Sequence, residues 1–416
     1  MNSTSTRIAG RDTEDGREAA RRLLEQWGAA PLLFFSLLPD KRYLVDSAKT
    51  PRWAVAYRTL GRHALALGDP LGSPDAAPDA IAAFCTFCRS KGRTPAFYQV
   101  TPEHLDSYKA ADFRAVKVGE DAQIDLVGYD LAGKRFKNVR NDLRRIEKAG
   151  VVLEVYGPDA PPPDAVTAEM EAISAAWRKA CHAKEGAFAM GAFDSSSALF
   201  AESRYFVARD TETGRMLAFT TFVPAFGTDS TQNWTLDLMR RRSDALHGVM
   251  DFLIISAARQ FAVEGARTLS LGLSPLAGAD EPGEARAAAL TRRFLYARMG
   301  RVYNFAGLHT FKSKFATHWE PRYLVHRPGV GLAAASAAVL QAHLTTPPTP
   351  GTGPRPLGLL TPRGRQVFAV TALLVLGLAP LEKTLAHTAL HRPHLSLHLH
   401  RAHFPHLAHF PHHLQV

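Results

Sequence analysis

Cysteine is scarce in this sequence, and no segment has the spacing of a nucleotide-binding loop. Three cysteines in 416 residues cannot build a dense disulfide framework, so a reducing compartment is the simpler expectation. No GxxxxGK[ST] segment occurs, and the lone GK of LAGKRF does not replace one, so activation of a substrate by ATP is not implied. If the protein is an enzyme, we expect the energy for its reaction to arrive in the substrate.

Two of the cysteines, Cys85 and Cys88, form a CxxC pair inside the apolar-periodic run 81–89. On a helix this spacing places both thiols on one buried face. No second CxxC or CxxH pair follows to complete a tetrahedral zinc site. We therefore predict two core residues and no metal site.

Long apolar runs are also lacking. The first 28 residues contain no continuous apolar stretch, which predicts that no secretory signal is present. The longest apolar run, 366–381, has about 16 residues, fewer than the roughly 20 that a spanning helix needs. It is open to interpretation as a membrane-surface helix, a buried segment or a poorly ordered one. We expect the protein to stay in the cytoplasm.

Positive charge is in excess, with 50 lysines and arginines against 39 acidic residues and a formal net charge of +11. Such a bias suits a polyanion such as tRNA or an anionic membrane surface, although a basic surface kept for solubility fits equally well. Two segments concentrate the charge, 134–148 and 286–301. A solvated helix face is the alternative for each. The candidate binding residues in them are Lys134, Lys137, Arg140, Arg144, Arg292 and Arg293.

The order of predicted elements indicates an α/β (α+β) fold with two tandem modules. Residues 1–29 predict a polar lead and an adaptor helix, 30–155 a first module and 156–345 a second. Residues 346–416 predict a flexible extension with a Pro-rich linker, the apolar run and a His-rich tail. In the first module FFSLL, residues 34–38, predicts a strand. Within each module, strands followed by a helix and a further strand resemble the mixed-sheet acyltransferase fold of the GNAT type.

The segment WTLDLMRRR holds the most informative polar residues. Strand alternation predicts Asp237 and Met239 on one face, with Arg240 at the strand end. A carboxylate and a guanidinium at a strand end are well placed to handle a hydroxyl and a phosphate. A surface ion pair that closes a strand is the alternative.

The segment GLHTFKSKF places Lys312 and Lys314 two residues apart. On an extended segment they share a face and form a loose phosphate clamp, while Phe311 and Phe315 pack inward. Two surface lysines on an edge strand are the alternative.

Two further segments bear on ligands. The loop RRSDALHGVM contains only Gly248 where a CoA-dependent enzyme would have a Gly-rich pyrophosphate loop, so acyl-CoA is not the expected donor. The last 30 residues hold ten of the eighteen histidines. Metal capture by this tail is one interpretation, but its irregular spacing favours an unconstrained tail.

Nine motifs, in this order, resemble the C-terminal catalytic domain of the multiple peptide resistance factor, the family of lysyl- and alanyl-phosphatidylglycerol synthases. The resemblance covers roughly residues 30–327. The motifs are GDPLG (68–72), FYQV (97–100), KVGEDAQIDL (117–126), LAGKRFKNVRNDLRRIEKAG (131–150), LDLMR (236–240), HGVMDFL (247–253), LGLSPL (271–276), YNFAGLHTFKSKF (303–315) and WEPRYL (319–324).

The resemblance implies two tandem GNAT-like folds with a tunnel, and transfer of an aminoacyl group from aminoacyl-tRNA to the headgroup hydroxyl of phosphatidylglycerol. No cofactor is implied. The family's DLMR motif falls on Asp237 and Arg240, and its FKxKF motif on Lys312 and Lys314. Asp237 is expected to orient or activate the hydroxyl and Arg240 to hold the lipid phosphate. The lysines are expected to neutralise the tRNA terminus or the developing oxyanion.

The implied biology is a cationic lipid that changes membrane charge and gives resistance to cationic antimicrobial peptides. The chain is then expected at the inner face of the cell membrane, on the membrane surface. It departs from the family in lacking the polytopic flippase region, so a separate flippase becomes a potential partner. Gly300 and Arg301 stand where an acidic residue is expected before the YNF motif, and the His-rich tail has no counterpart.

Three other functions stay open from the sequence. One is a Fem-like transferase that moves an amino acid from tRNA to a peptidoglycan precursor or a peptide amine. Another is a CoA-dependent N-acetyltransferase, which the RRSDALHGVM loop disfavours. The last is a non-catalytic RNA- or membrane-binding protein with the same fold. The sequence does not name the amino acid, for which lysine and alanine lead, nor the exact lipid.

Overall fold

The structure is a computed structural model that describes residues 13–28, 30–181, 188–189, 191–226, 232–275, 305–329 and 331–344. The chain divides into a unit Met1–Pro347 and a unit Pro348–Val416, and all described residues belong to the first. Several residues of the sequence analysis lie outside the described part. They are Arg292, Arg293, Gly300, Arg301, the apolar run 366–381 and the His-rich tail.

The amino-terminal half of the first unit begins with an adaptor helix and continues with strands and helices in alternation. Its elements are α1 (Thr13–Trp27), a 3₁₀ helix (Pro31–Leu37), β1 (Arg42–Val45), β2 (Trp53–Leu60), β3 (His63–Leu67), β4 (Leu71–Gly72), α2 (Ala77–Ser90), β5 (Thr94–Val100), α3 (Leu105–Ala110) and β6 (Arg114–Asp125). The strand predicted at 34–38 is wrong, because most of it lies in the 3₁₀ helix. Pro31 at the start of that helix has the backbone angle that a helical first turn needs.

The carboxy-terminal half repeats the alternation. Its elements are α4 (Lys137–Lys148), β7 (Val151–Tyr156), α5 (Asp164–Cys181), α6 (Ala198–Glu202), β8 (Arg204–Asp210), β9 (Met216–Phe226), β10 (Gln232–Arg241), α7 (Val249–Val263), β11 (Thr268–Pro275), α8 (Phe305–Ser313), β12 (His318–His326) and α9 (Gly331–Leu344). No helix in the described ranges is long and apolar enough to cross a membrane.

One mixed sheet runs through both halves, in the order β1-β2-β3-β5-β12-β6-β11-β10-β9-β8-β7, with β4 beside β2. The pairs β3–β5 and β10–β11 are parallel, and their neighbours pair antiparallel. The predicted mixed α/β class is confirmed. The module boundary predicted at residue 155 falls inside β7, and β12, late in the chain, lies between β5 and β6. The division into two modules at that residue stays a prediction.

Helices cover the sheet and bury its apolar side chains in separate clusters. In the carboxy-terminal half α4 and α7 pack on the sheet, and Trp234 of β10 stacks on Phe261 of α7 with ring centroids 4.7 Å apart. In the amino-terminal half α2 packs its apolar face on β2 and β5. Cys85 and Cys88 are buried in that cluster, which confirms the two predicted core residues.

Candidate active site at the opening between β10 and β11

The parallel strands β10 and β11 separate after a short contact. Only Trp234 and Thr235 pair with Leu269 and Ser270. Beyond that point β10 stays with β9, while β11 stays with β6 as far as Pro275. Both strands have an irregular register there, between Leu236 and Leu238 in β10 and between Ser270 and Leu273 in β11. In open α/β sheets ligands bind where neighbouring strands part beyond their carboxyl ends. A ligand site is therefore expected at this opening.

Asp237 lies in the bulge of β10. A bulge inserts one residue and resets the alternation of side chains. Met239 consequently packs against the same core as Leu236. The predicted sharing of one face by Asp237 and Met239 is wrong for this reason.

The half-buried carboxylate of Asp237 is held by two neighbours. The backbone N–H of Gly191 donates to Oδ1 over 2.8 Å, and Thr221 Oγ1 lies 3.4 Å from Oδ2. A Cβ at position 191 would collide with both carboxylate oxygens. Glycine is therefore required for the backbone to approach Asp237 so closely.

Arg240 lies near the end of β10 and is 7% exposed. Its guanidinium carbon lies 3.9 Å from the ring centroid of Trp177 in α5, and Nη1 donates to the carbonyl oxygen of Met239 over 3.0 Å. Stacking on an indole fixes the plane of the guanidinium and adds a cation–π attraction. The arginine is thus oriented before any ligand arrives.

Lys312 enters the opening from α8, which extends to Ser313, so the extended segment predicted around it is wrong. Its ammonium donates to the carbonyl oxygens of Gly272 (3.0 Å) and Leu273 (2.8 Å), both in β11. A Cβ built on Gly272 would lie 3.8 Å from Lys312 Nζ and 4.0 Å from the carbonyl oxygen of Leu236. The lysine therefore lies next to the strand segment that carries Asp237.

Burial lowers the pKa of Lys312 to about 8, and the negative charge of Asp121 opposes this shift. Taking an ammonium out of water favours its neutral form. A lysine with a pKa near 8 is still mostly protonated at neutral pH, yet it releases a proton far more readily than an exposed lysine. It therefore can act as a charge or as a proton donor.

Lys314 turns away from Lys312. Its ammonium pairs with Asp251 of α7, at 2.9 Å from Oδ2 and 3.1 Å from Oδ1. Burial raises the pKa of Asp251, and Lys314 opposes that shift. The predicted lysine clamp is not formed. The inward packing predicted for Phe311 and Phe315 is found, since both join the core under α7.

A buried polar network lies beside Lys312, and its residues are not among those predicted for the site. Asp121 of β6 accepts hydrogen bonds from Ser270 Oγ (2.9 Å), Gln123 Nε2 (3.1 Å) and Arg322 Nη2 (3.2 Å). Arg322 of β12 is 1% exposed and also pairs with Glu320 over 2.9 Å. Burial raises the pKa of Asp121, while Arg322, Ser270 and Lys312 oppose the shift. The available signal was the density of charged residues in KVGEDAQIDL and WEPRYL, which otherwise have the pattern of strands.

The basic helix α4 contributes a partly exposed ridge. Lys134, Lys137 and Arg144 are exposed, whereas Arg140 donates to the carbonyl oxygens of Leu131 and Gly133 and so closes the loop before the helix. Three of the four predicted ridge residues thus face solvent.

The amino terminus of α7 is covered by α4. Gly248 precedes this helix with φ of +91°, and a Cβ there would lie 2.8 Å from the Cβ of Asp142. Arg145 Nη2 bonds Asp142 (2.5 Å) and the carbonyl oxygen of His247 (2.8 Å). The carboxylate of Asp142 thus lies close to the amino terminus of α7, where a helix could otherwise bind an anion. Gly248 serves helix packing here.

Comparisons with known proteins show the family of this chain. The family model described as "Phosphatidylglycerol lysyltransferase, C-terminal" matches residues 21–326. A phosphatidylglycerol lysyltransferase of Bacillus subtilis is 30% identical over 79% of this chain and 37% of its own length, and one of Staphylococcus aureus is 25% identical over 78% and 37%. The chain thus spans little more than a third of these curated relatives.

Two solved structures are similar over most of the chain. One is the C-terminal domain of a putative lysylphosphatidylglycerol synthetase from Agrobacterium fabrum, with a TM-score of 0.66, 29% identity, and 80% of this chain and 96% of that chain covered. The other, L-PGS from Bacillus licheniformis, has a TM-score of 0.66, 26% identity, and coverage of 78% and 95%. With the matched residues 21–326 spanning nearly all of the described structure, this chain belongs to the family of phosphatidylglycerol lysyltransferase C-terminal domains.

Proposed function

We propose that this chain transfers an aminoacyl group from aminoacyl-tRNA to the headgroup hydroxyl of phosphatidylglycerol. The observation that carries the proposal is the placement of a carboxylate, Asp237, and a buried ammonium, Lys312, at one opening of the sheet in a member of this family. Ester exchange of an activated acyl group needs a proton acceptor and a positive charge at the developing oxyanion. It requires neither ATP nor a metal.

Asp237 acts first in the proposed reaction. Its carboxylate accepts the proton of the lipid hydroxyl as the hydroxyl oxygen attacks the ester carbonyl carbon. Gly191 and Thr221 hold the carboxylate at a fixed angle, so the hydroxyl meets an oriented base.

Lys312 acts on the tetrahedral intermediate. An ammonium has three N–H groups, and two of them already donate to the carbonyls of Gly272 and Leu273. The third stabilises the oxyanion. As the carbonyl re-forms, the bond to the ribose oxygen breaks, and that oxygen takes the proton that Asp237 received. Asp237 is a carboxylate again, and free tRNA and an aminoacyl lipid are released.

The remaining basic groups hold the substrates. Arg240, fixed on Trp177, binds the lipid phosphate, and the exposed Lys134, Lys137 and Arg144 attract tRNA or anionic lipid. Lys314 fixes α8 on α7 through Asp251 and so positions Lys312. The product adds an ammonium to the membrane, which lowers the attraction of cationic antimicrobial peptides. The chain works at the inner membrane surface, where a flippase that moves the product across the bilayer is a further partner.

The covered amino terminus of α7 supports an RNA donor over acyl-CoA. Asp142 and Arg145 fill the place that a pyrophosphate would need. Moving α4 away from the amino terminus of α7 would expose the packed face of α4, because its Val139, Leu143 and Ile146 are buried in the core.

A transfer assay with the purified chain tests the proposal. A panel of radiolabelled aminoacyl-tRNAs is offered with vesicles of phosphatidylglycerol, with vesicles of a zwitterionic lipid, and with a peptide amine. We expect label in phosphatidylglycerol with one tRNA, and none with Asp237→Asn. Label in the peptide would indicate a Fem-like acceptor. Absence of label from every acceptor, with tRNA still bound, would contradict the proposal and favour a binding protein.

A further inference from the structure

A shallow cavity of about 280 Å³, largely open to solvent, lies in the amino-terminal half, away from the β10–β11 opening. It is lined by Cys85, Arg89, Arg93, Thr94, Pro95 and Arg327. Three of these six side chains are guanidinium groups. Planar guanidinium forks match the oxygens of a phosphate in geometry and charge.

Arg327 lines this cavity and is held in place by three contacts. Its Nη1 donates to the carbonyl oxygen of Ala111 over 2.8 Å, and its guanidinium carbon lies 4.2 Å from the ring centroid of Phe113. Its Nη2 has the sulfur of Cys85 as acceptor at 3.2 Å. A thiol is a weak acceptor, so a phosphate oxygen that replaced it would form a much stronger bond.

The surrounding surface is basic because of the sheet topology. Arg62 precedes β3, Arg93 precedes β5, Arg114 begins β6 and Arg327 follows β12. These four strands are neighbours, and their directions bring all four arginines to one edge. Asp112 lies 3.9 Å from Arg327 Nη1, but its side chain is 82% exposed, so water screens its charge.

The opening between β10 and β11 widens toward this edge of the sheet. Strands β10, β11 and β12 end there, whereas β3, β5 and β6 begin there. Across the sheet, β10 and β5 are four strand spacings apart, or about 20 Å, and along the strands the opening, at the level of Asp121, lies several residues from Arg114. A ligand with phosphates along its length can therefore reach both places at once.

An RNA fits these observations better than a bilayer does. The headgroups of a bilayer form a flat surface that contacts protruding side chains. A cavity between side chains instead accepts a single phosphate that projects from an RNA backbone. Val127 and Val263, which are 71% and 85% exposed, lie where β6 ends and β11 begins, at the opposite edge of the sheet. The two most exposed large apolar side chains in the described part of the chain are thus turned away from this pocket.

We propose that Arg89, Arg93 and Arg327 form a pocket for a backbone phosphate of the donor RNA, outside the transfer site. The identity of that RNA as aminoacyl-tRNA rests on the proposed function. The pocket fixes the body of the RNA while its charged end lies in the β10–β11 opening.

Binding of uncharged tRNA to the full chain tests the pocket. Arg89 is exposed and Arg93 partly exposed, so we expect Arg89→Ala/Arg93→Ala to melt at the same temperature as the unchanged protein. Its affinity for tRNA should fall about tenfold, because the variant removes the charged contacts to one backbone phosphate. The slope of log K against log salt should become shallower by about 1.

The matched control is Arg22→Ala/Arg52→Ala. It removes the same charge from exposed side chains of α1 and of the loop before β2, and we expect its affinity to stay within twofold. Equal affinities of the two double variants would overturn the pocket.

Two further probes separate the sources of phosphate. Sedimentation with phosphatidylglycerol vesicles should be unchanged in Arg89→Ala/Arg93→Ala. Loss of vesicle binding with intact tRNA binding would assign the pocket to lipid and overturn the proposal. Stabilisation by inorganic phosphate that is lost in the variant, with intact tRNA binding, would reduce the pocket to a free-anion site.

The transfer assay separates this inference from the proposed function. If the unchanged protein transfers label, the double variant should raise KM for aminoacyl-tRNA about tenfold and leave kcat unaltered. If the unchanged protein transfers nothing, the proposed function fails. The difference in tRNA affinity between Arg89→Ala/Arg93→Ala and the control variant then still tests whether the pocket binds RNA.

Discussion

The two parallel strand pairs of the sheet are built alike but end differently. In each, a helix connects one strand to its parallel partner, α2 between β3 and β5 and α7 between β10 and β11. The pair β3–β5 stays in register over five residues, from His63 with Thr94 to Leu67 with Tyr98. The pair β10–β11 stays together over two. The first is closed and the second open.

Residues just beyond the strands cause the difference. After β3, the N–H of Gly68 donates to the carbonyl oxygen of Tyr98 over 2.7 Å. Asp69 then accepts bonds from the N–H (2.9 Å) and Oγ1 (2.8 Å) of Thr101 and from the hydroxyl of Tyr108 (3.2 Å). These bonds hold the chain beyond β3 to the chain beyond β5. In the other pair, the bulge at Asp237 and the irregular register around Gly272, whose φ is +79°, accompany the separation of the strands. The topology thus provides two equivalent parallel strand pairs. Polar residues close the carboxyl end of β3–β5, and the carboxyl end of β10–β11 stays open for a candidate site.

Each half also buries a lysine, and the partners of the two lysines differ. Burial lowers the pKa of both Lys41 and Lys312 to about 8. Lys41 lies 2.5 Å from Asp40 and donates to the carbonyl oxygen of Phe188 over 2.8 Å, so its charge is neutralised by a direct neighbour. Lys312 bonds two carbonyls, and its carboxylate, Asp121, acts from farther away. A charge compensated so loosely is available to a substrate.

The largest contrast is expected between the two aspartates. Asp237→Asn should lower kcat for transfer by about 10²–10⁴, the usual contribution of a positioned base, with the melting temperature nearly unchanged. Asp69→Asn should lower the free energy of unfolding by about 1–3 kcal/mol, because buried donors lose their acceptor, and leave kcat unaltered. Transfer kinetics and denaturant unfolding measure both. An equal loss of transfer in Asp237→Asn and Asp69→Asn would refute the assignment of the transfer site to the β10–β11 opening.

The two lysines should behave in the same divided way. Lys312→Met should lower kcat by about 10²–10³, as for removal of one oxyanion donor. Lys41→Met leaves the buried Asp40 with Arg58, 3.6 Å away, as its remaining cation and should cost about 3 kcal/mol of stability, with kcat unchanged in the folded fraction. Urea unfolding and single-turnover transfer distinguish the effects. A Lys312→Met enzyme with normal kcat would remove this lysine from the mechanism.

The pH dependence sharpens the role of Lys312. If its ammonium stabilises the oxyanion, transfer should decline as pH rises through about 8. Asp121→Asn removes a charge that raises this pKa, so the decline should begin at lower pH. A pH–rate profile of both proteins tests this, and a midpoint that moves upward or stays fixed would contradict the coupling.

Stability should change in the opposite direction over that range. The unfolded chain keeps both lysines protonated up to about pH 10.5, whereas the folded chain releases their protons near pH 8. The penalty of burying the ammonium groups is present below pH 8 and is relieved as pH rises from there to 10.5. The contribution of these two groups therefore favours the folded state increasingly across that window, and urea unfolding at several pH values checks its sign.

The smallest effect on transfer is expected at Lys314. Lys314→Met leaves Asp251 buried without its partner, which should cost about 1–3 kcal/mol of stability. The kcat value should fall less than tenfold, because Lys314 reaches the site only through the position of α8. A loss as large as that of Lys312→Met would restore the predicted pair of catalytic lysines.

Much of the site was accessible from the sequence because its residues stand in dense motifs. The polar cluster in WTLDLMRRR predicted Asp237 and Arg240 as candidate site residues near a strand end. In the structure both lie in the last five residues of β10. Asp121 and Arg322 were missed, because charged residues within a strand pattern look like an exposed face. Only their pairing across β6, β11 and β12, from segments about 200 residues apart, shows that they are buried together.

The sequence by itself determined the class of fold, the buried cysteine pair and the basic character of the chain, because periodicity, spacing and charge are local properties. The tertiary structure decided which parallel pair opens, that Lys312 and Lys314 point to different partners, and that arginines of four strands meet at one edge. Those outcomes depend on a bulge, on a helix where an extended segment was expected, and on strand order. None of these follows from the residues adjacent to them in the chain.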